Sequence, residues 1–390
     1  MPGEVAAVAR VDREFLTRTA VDLVRIPSVN PALGSAGAGL MGESRVADYV
    51  GGVLKSLGLE VERLERVPGR PSVVGILRGG GGPSLMLNAH YDTVGVDGME
   101  DPFGGRIRDG RLLGRGAYDM KGALASCLAA MKALVESGAS PPGDVYLAAV
   151  SDEETESLGV REVLERHRPE CAVVTEPSEL GVCTAHKGFV WVDLLVQGIA
   201  VHGSRPDLGR DANLDMARLL ARVADHRDEL ASRGPHPLLG VPSIHCGIVS
   251  GGEGPSTYAA ECRATLERRT LPGERIDEVR QELESVLDGR GAPRLTLARP
   301  GFEAPAGSPV VRALSEVVRA TLGGSAPPVG TGPWTDAAFF AEAGVDTVVF
   351  GPRGGGAHGA DEWVDLDSLA ALGNVLVRMP AQLEADRLSR

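Results

Sequence analysis

The chain has 390 residues, of which 43% are hydrophobic, 24% charged and 4% aromatic, and its formal net charge is -13. That length is too great for one ordinary core and predicts about two domains, with the composition of an ordinary soluble globular protein. The negative charge argues against a phosphate-backbone binder and the few aromatics against a stacking surface for single strands, so no nucleic-acid partner is expected.

Residues 12–59 carry a helical pattern, interrupted at Pro27 and by the glycine-rich stretch 34–39. Residues 59–64, 72–77 and 85–89 are short apolar runs of the kind that form buried strands, and the glycine run 79–82 is a turn. Asp119-Met120-Lys121-Gly122 opens an alanine- and leucine-rich helix that reaches about Glu136. Residues 145–150 and 171–174 are two further strands. Such alternation predicts an α/β sheet with helices on its faces. After His186 the texture changes. Strands are predicted at 190–196, 244–249, 259–267 and 295–298, with helices at 214–230 and 276–287. The order strand, helix, strand, strand, helix, strand is that of a ferredoxin-like α+β unit. After Arg299 the α/β texture resumes, with helices at 310–321 and 365–378 around a strand at 347–350. The predicted organisation is a discontinuous α/β domain, residues 1–185 and 299–390, with an inserted α+β domain, residues 186–298. No internal repeat is visible. The glycine-rich stretch 351–359 lacks the GK[ST] ending of a phosphate loop, which removes a nucleotide-binding reading.

No run approaches the roughly 18 to 20 apolar residues of a membrane span, so no membrane partner is expected. The five cysteines, Cys127, Cys171, Cys183, Cys246 and Cys262, are odd in number and include no CxxC pair, which suits a reducing compartment. The early residues Glu4, Arg10, Asp12, Arg13 and Glu14 leave no apolar stretch for a signal peptide. A cytoplasmic location is expected.

Acidic and histidine residues recur where the apolar runs end. Residues 85–89 lead to His90 and Asp92, residues 145–150 to Glu153 and Glu154, and residues 171–174 to Glu176. In open α/β sheets, ligands bind beyond the carboxyl ends of such strands. Asp119 sits where a helix N-cap would be, and a capping carboxylate can also be aimed into a crevice. His358 lies in a glycine-rich loop after the last strand. Each of these residues alone has a bland reading as a cap, a solvated strand end or a loop histidine. Together they supply what two divalent ions need, a bridging group and terminal ligands on each side. Asp119 can bridge, His90 with Glu176 can complete one site, and Glu154 with His358 the other. Asp92 is placed to orient the His90 ring through its second nitrogen. Neighbours in an extended segment point oppositely, so one of Glu153 and Glu154 can bind metal while the other stays a base. Mixed nitrogen and oxygen donors suit zinc, with cobalt or manganese as substitutes.

The segments LMLNAHYDTV, GRGAYDMKGALA, SDEET, VVTEPSEL, VHGSRPDLG and FGPRGGGAHGADEWV, in that order, resemble the acetylornithine deacetylase and succinyl-diaminopimelate desuccinylase family, which also contains aminoacylases, carboxypeptidases and dipeptidases. The resemblance runs from about residue 12 to residue 385. It implies a two-zinc exopeptidase-like catalytic domain with a mixed sheet and flanking helices, and an inserted ferredoxin-like lid that often forms a homodimer. It gives the ligand roles to His90, Asp119, Glu154, Glu176 and His358, the orienting role to Asp92 and the general-base role to Glu153. It further implies a cis peptide after Asp119, an oxyanion-supporting role for His202 and a substrate-carboxylate role for Arg269. The adjacent Arg268 leaves open which of the two arginines serves. Ser256 stands where relatives often have an asparagine, and Arg353 where they have the second glycine of Gly-Pro-Gly; both departures touch specificity. His167, His186, His226, His236 and His245 match no ligand position. The expected activity is metal-dependent hydrolysis of the amide bond of a small N-acyl amino acid. The alternative is a dipeptidase or carboxypeptidase with the same machinery.

Overall fold

The apolar runs that precede the candidate ligands form the middle of one mixed sheet. In the computed structural model, which describes residues 9–33, 37 and 39–389, Leu85–His90 lies between Val145–Val150 and Cys171–Val174 and is parallel to both. Asp346–Val349 extends the parallel set beyond Cys171–Val174. Ser72–Leu77 and Glu60–Leu64 add antiparallel strands on one side, and Val182–His186 pairs antiparallel on the other. The chain is therefore α/β with a mixed sheet. Leu85–His90 and Cys171–Val174 are buried at every position, which is why they read as unbroken apolar runs rather than alternating ones. His90 lies beside Val150, Asn88 beside Val174, and Val349 beside Val174. The four parallel strands thus finish along one edge, and the loops that follow them start there.

The chain has two compact units, one of residues 1–184, 304–329 and 335–390, the other of residues 185–303 and 330–334. In the first unit, Gly122–Glu136 packs between the strand Leu85–His90 and the helices Arg13–Arg25 and Leu366–Leu388. It is buried almost all round, so it needs small and aliphatic residues and carries no polar face. The second unit is a four-stranded antiparallel sheet in the order Ser243–Gly251, Glu261–Thr270, Gly188–Gln197, Arg294–Arg299. Helices Ala212–Ser232 and Ile276–Leu287 cover one face, where Val190, Val192, Leu194, Val196, Cys262, Ala264 and Leu266 form the core. The strand order is that of a ferredoxin-like unit.

Several local expectations need correction. Asp119 is not a helix cap. The helix starts at Gly122, and Asp119 lies in a separate turn, Ala117–Lys121, with φ -120 and ψ 93 and a cis peptide to Met120. Its carboxylate faces two imidazoles rather than backbone amides. Glu153 and Glu154 are not in an extended segment but in a turn that begins at Asp152, whose φ is 66. The sequence pattern also missed the hairpin Arg106–Arg108 and Arg111–Leu113 and the short helices Leu158–Arg166 and Ala337–Glu342. The 34–39 interruption lies largely outside the described residues, as do the first eight residues, on which part of the signal-peptide reading rests. Among the described residues, no helix is long and apolar enough to cross a membrane.

Candidate metal centre

Two groups of ligand-type side chains meet beyond the sheet edge, and they share Asp119. His90 is the last residue of its strand; its Nε2 is 3.0 Å from Asp119 Oδ1 and 3.4 Å from Glu176 Oε1. His358 Nε2 is 3.3 Å from the other oxygen, Asp119 Oδ2, and 3.2 Å from Glu154 Oε2. Ligand atoms about 2.0–2.1 Å from one tetrahedral ion stand about 3.3 Å apart, close to these separations. Glu154 Oε1 is buried with no hydrogen-bond partner, a costly state for a carboxylate oxygen unless a cation is its partner. The mixed nitrogen and oxygen donors and the orphaned oxygen both fit a pair of divalent cations bridged by Asp119. Glu153 belongs to neither group, and its Oε2 is 3.9 Å from His90 Nε2.

The electrostatics follow from crowding acids away from water. Burial pushes the Glu153 carboxyl well above the ordinary range; His90 opposes this, while Glu176, Asp336 and Glu154 add to it. Burial likewise drives Glu176 well up and Glu154 up. Asp119 is the exception. Burial would raise it, but hydrogen bonds with His358 and His90 hold it well below its usual value. His358 is pushed up to about 10 by its hydrogen bonds to Asp119 and Glu154. A divalent charge between these groups would offset the same repulsion.

The ligand-bearing loops are held by hydrogen-bonded partners. Asp92 accepts from the backbone N–H of Glu153 at 3.1 Å and of Glu154 at 3.2 Å. It therefore fixes the acidic turn as much as it orients His90. The His90 Nδ1 contact with the Asp92 backbone carbonyl, at 3.0 Å, is shorter than the 3.5 Å to its carboxylate. Asn30 donates to Asp92 at 2.7 Å and to Asp152 at 3.0 Å. Arg70 ties Asp152, at 2.5 Å, to the buried Glu43, at 2.7 Å. The Asp119 turn hangs on Glu362, which accepts from the N–H groups of Gly116, Tyr118 and Asp119 at 3.0, 2.9 and 3.1 Å. Arg115, also buried, pairs with Glu362 at 2.5 Å and donates to the Gly359 carbonyl at 3.0 Å, next to His358. Tyr118 donates to Glu179 at 2.6 Å, and Glu179 also accepts from Gly354 N–H at 3.3 Å, joining the loops of Asp119, Glu176 and His358. Gly351 must be glycine, because a Cβ there would lie 2.1 Å from the Glu176 carbonyl. Asn30, Arg70, Glu362 and Arg115 were missed in the sequence. Glu362, in the segment that carries His358, and Arg115, in the segment that carries Asp119, stood within recognised motifs.

The second unit carries His202 and Arg269. His202 is exposed, with Nδ1 2.8 Å from Ser204 Oγ and a bridge to Thr257, the neighbour of Ser256. Arg268 is fully buried and tied to Glu274 at 2.6 Å and Glu282 at 3.2 Å. Arg269 faces the other way; its side chain is 31% exposed and its Nη1 has no hydrogen-bond partner. Of the two arginines, Arg269 is the one with donors to offer a ligand. His226 is bound to Glu229 and Glu282, and His167 to Glu62, which are structural roles.

The model of peptidase family M20/M25/M40 matches residues 86–382. The chain is 30% identical over 377 residues to an acetylornithine deacetylase of Edwardsiella ictaluri (strain 93-146), covering 92% of this chain and 94% of the relative. It superimposes on the M20 family metallo-carboxypeptidase Sso-CP2 of Sulfolobus solfataricus with a TM-score of 0.80 at 19% identity, over 95% of this chain and 99% of the other. The YXEP protein of Bacillus subtilis, described as a dinuclear metal binding peptidase of the M20 family, matches with a TM-score of 0.71 at 15% identity, over 96% of this chain and 99% of the other.

Removing Glu362 leaves Arg115 buried without its partner and three amides without their acceptor. Glu362→Ala is expected to cost about 3–5 kcal/mol of stability in urea unfolding. A loss under about 1 kcal/mol would show that the Asp119 turn does not depend on this carboxylate.

Proposed function

The chain belongs to peptidase family M20/M25/M40, a family of metallohydrolases, and from that premise we propose that it hydrolyses the amide bond of a small N-acyl amino acid. The observation that carries the proposal is the pair of ligand groups sharing Asp119, with Glu153 beside them in neither group. His90, Asp119 and Glu176 would hold one divalent ion, and Asp119, Glu154 and His358 the other, zinc by the donor chemistry with cobalt or manganese as substitutes. When bound, the ions polarise the amide carbonyl and lower the pKa of water at the site.

The chain's own residues do the rest. Glu153 takes the proton from the attacking water and passes it to the leaving amine, a task open to it because it belongs to neither ligand group. Asp92 holds the Glu153 and Glu154 amides, so base and ligand keep their separation. His202 donates to the oxyanion. Arg269 holds the substrate carboxylate. The acetylornithine deacetylase relative supports a deacylase over a dipeptidase, whose substrate would carry a free α-amine on its acyl group. A cytoplasmic location is part of the proposal, supported by five free cysteines.

We further propose a homodimer formed through the inserted unit. Ser243–Gly251 is an edge strand whose Ile248 and Val249 are 63% and 56% exposed, and an exposed apolar edge is a template for pairing with another chain.

Metal-stripped protein should be inactive on N-acetyl amino acids, and zinc or cobalt should restore turnover; full activity after exhaustive chelation would overturn the proposal. In the same assay Glu153→Ala should keep its metal while losing about 10²–10⁴ in rate, and Glu154→Ala should lose metal. His202→Ala should keep metal and lose about 10²–10³ in kcat. Reversed metal contents for the two glutamates would exchange their roles, and a normal kcat would remove His202 from the mechanism.

The dimer is checked by sedimentation. Wild type should run as a dimer and Ile248→Asp as a monomer with unchanged circular dichroism. A monomeric wild type would overturn this part.

A further inference from the structure

Aromatic residues are scarce, yet two of the three tryptophans and two of the seven phenylalanines lie in the second unit. On the uncovered face of its sheet, cross-strand pairing sets Arg269, Phe189 and Arg299 in one row. The next row is Glu267, Trp191 and Leu297. The Arg269 guanidinium lies 5.4 Å from the Phe189 ring centre. Phe189 is 5.4 Å from Trp191 and meets Trp334 edge-on at 6.4 Å. Trp334 is fixed by its Nε1–H, which donates to the Pro300 carbonyl at 3.0 Å, and Arg299 lies 5.6 Å from its ring.

We propose that Phe189 and Trp191 receive the side chain of the substrate amino acid, and that the substrate is an N-acyl derivative of an aromatic or large aliphatic amino acid. The inference rests on the reading that Arg269 holds the α-carboxylate. An amino-acid side chain begins one carbon from that carboxylate, so a substrate on Arg269 brings its side chain against the Phe189 ring. A supporting role under the Arg269 guanidinium would account for Phe189 alone. It does not account for Trp191, which carries the row away from Arg269 and stays 42% exposed. A rigid aromatic wall with open area is what a site for an apolar side chain provides. Arg269 and Arg299 stand in the row of Phe189, while Glu267, paired with Arg269 at 2.9 Å, stands in the row of Trp191. The wall itself is apolar, and an ornithine ammonium laid against it would lose hydration that a phenylalanine or leucine side chain does not have to lose.

The test uses the full chain loaded with zinc or cobalt and four substrates: the N-acetyl derivatives of phenylalanine, leucine, alanine and ornithine. Wild type should prefer phenylalanine and leucine over alanine and ornithine by about tenfold or more in kcat/KM. Trp191→Ala and Phe189→Ala should each cut the phenylalanine-to-alanine ratio at least about threefold. A preference for ornithine, or a ratio that neither variant changes, overturns the inference. Arg269→Ala should weaken all four substrates alike; if it does not, the carboxylate reading fails separately. Binding gives a second readout. L-phenylalanine, but not L-ornithine, should change the intrinsic tryptophan fluorescence, and Trp191→Phe should remove most of that change. No fluorescence change on saturation with L-phenylalanine counts against the wall even if no substrate is turned over.

Discussion

The constraint on which the catalytic unit depends is the burial of Asp119, Glu153, Glu154 and Glu176 within a few ångströms of one another. Four carboxylates taken out of water repel each other and lose hydration. Two imidazoles, His90 and His358, contact them, and each lies between two acids. That arrangement is unfavourable for folding unless cations complete it, and it explains why so much surrounding structure is spent on holding the loops. A metal site that relied on the ions to gather its ligands would lose its shape whenever they left. Here the ligand loops are fixed by other means.

Those means are backbone hydrogen bonds to buried acids. Asp92 takes two amides of the acidic turn, and Glu362 takes three amides of the Asp119 turn. An acid that accepts several N–H groups is tolerated in the interior because its oxygens are satisfied. Glu362 is in turn paired with Arg115, which reaches the backbone beside His358. The Asp119 and His358 loops, far apart in sequence, are therefore one assembly. Position is set by neutral backbone dipoles, by the buried Arg115–Glu362 pair and by the Arg70 pairs with Glu43 and Asp152, while the ligand oxygens are left facing the centre.

This division explains what could be read from the sequence. The strands were legible because burial on both faces writes an unbroken apolar run, and the candidate ligands were legible because they follow those runs directly. Most boundaries shifted by one to three residues, as for Glu261–Thr270, expected from residue 259 to 267, but the last helix, expected to end at 378, runs on to Leu388. Asn30 and Arg70 were not legible. Their partners lie 62 and 82 positions away, and no local pattern distinguishes them from surface polar residues. Arg115 stood in a recognised segment, but its partner lies 247 positions away, so its role did not show. Only the bland reading of Asp119, as a helix cap, fails, since the helix it was to cap begins three residues later. The short hairpin and helices were missed because three to nine residues carry too little periodicity to register.

The second unit shows a different logic. Its covered face follows the alternating pattern through Cys262, Ala264 and Leu266, and the same series then places Arg268 where an aliphatic residue is expected. A buried guanidinium is costly, and this one is satisfied by Glu274, Glu282 and the carbonyl of Arg269. The last of these contacts matters most. It anchors the backbone of the residue whose side chain emerges on the opposite face beside Phe189. Both units thus spend a buried, fully paired charge to fix the main chain under a residue proposed to act. Recognition in the second unit is carried by exposed side chains such as Trp191, which the core does not constrain. Substitutions there can change which amino acid is accepted without disturbing the acids, amides and imidazoles of the first unit.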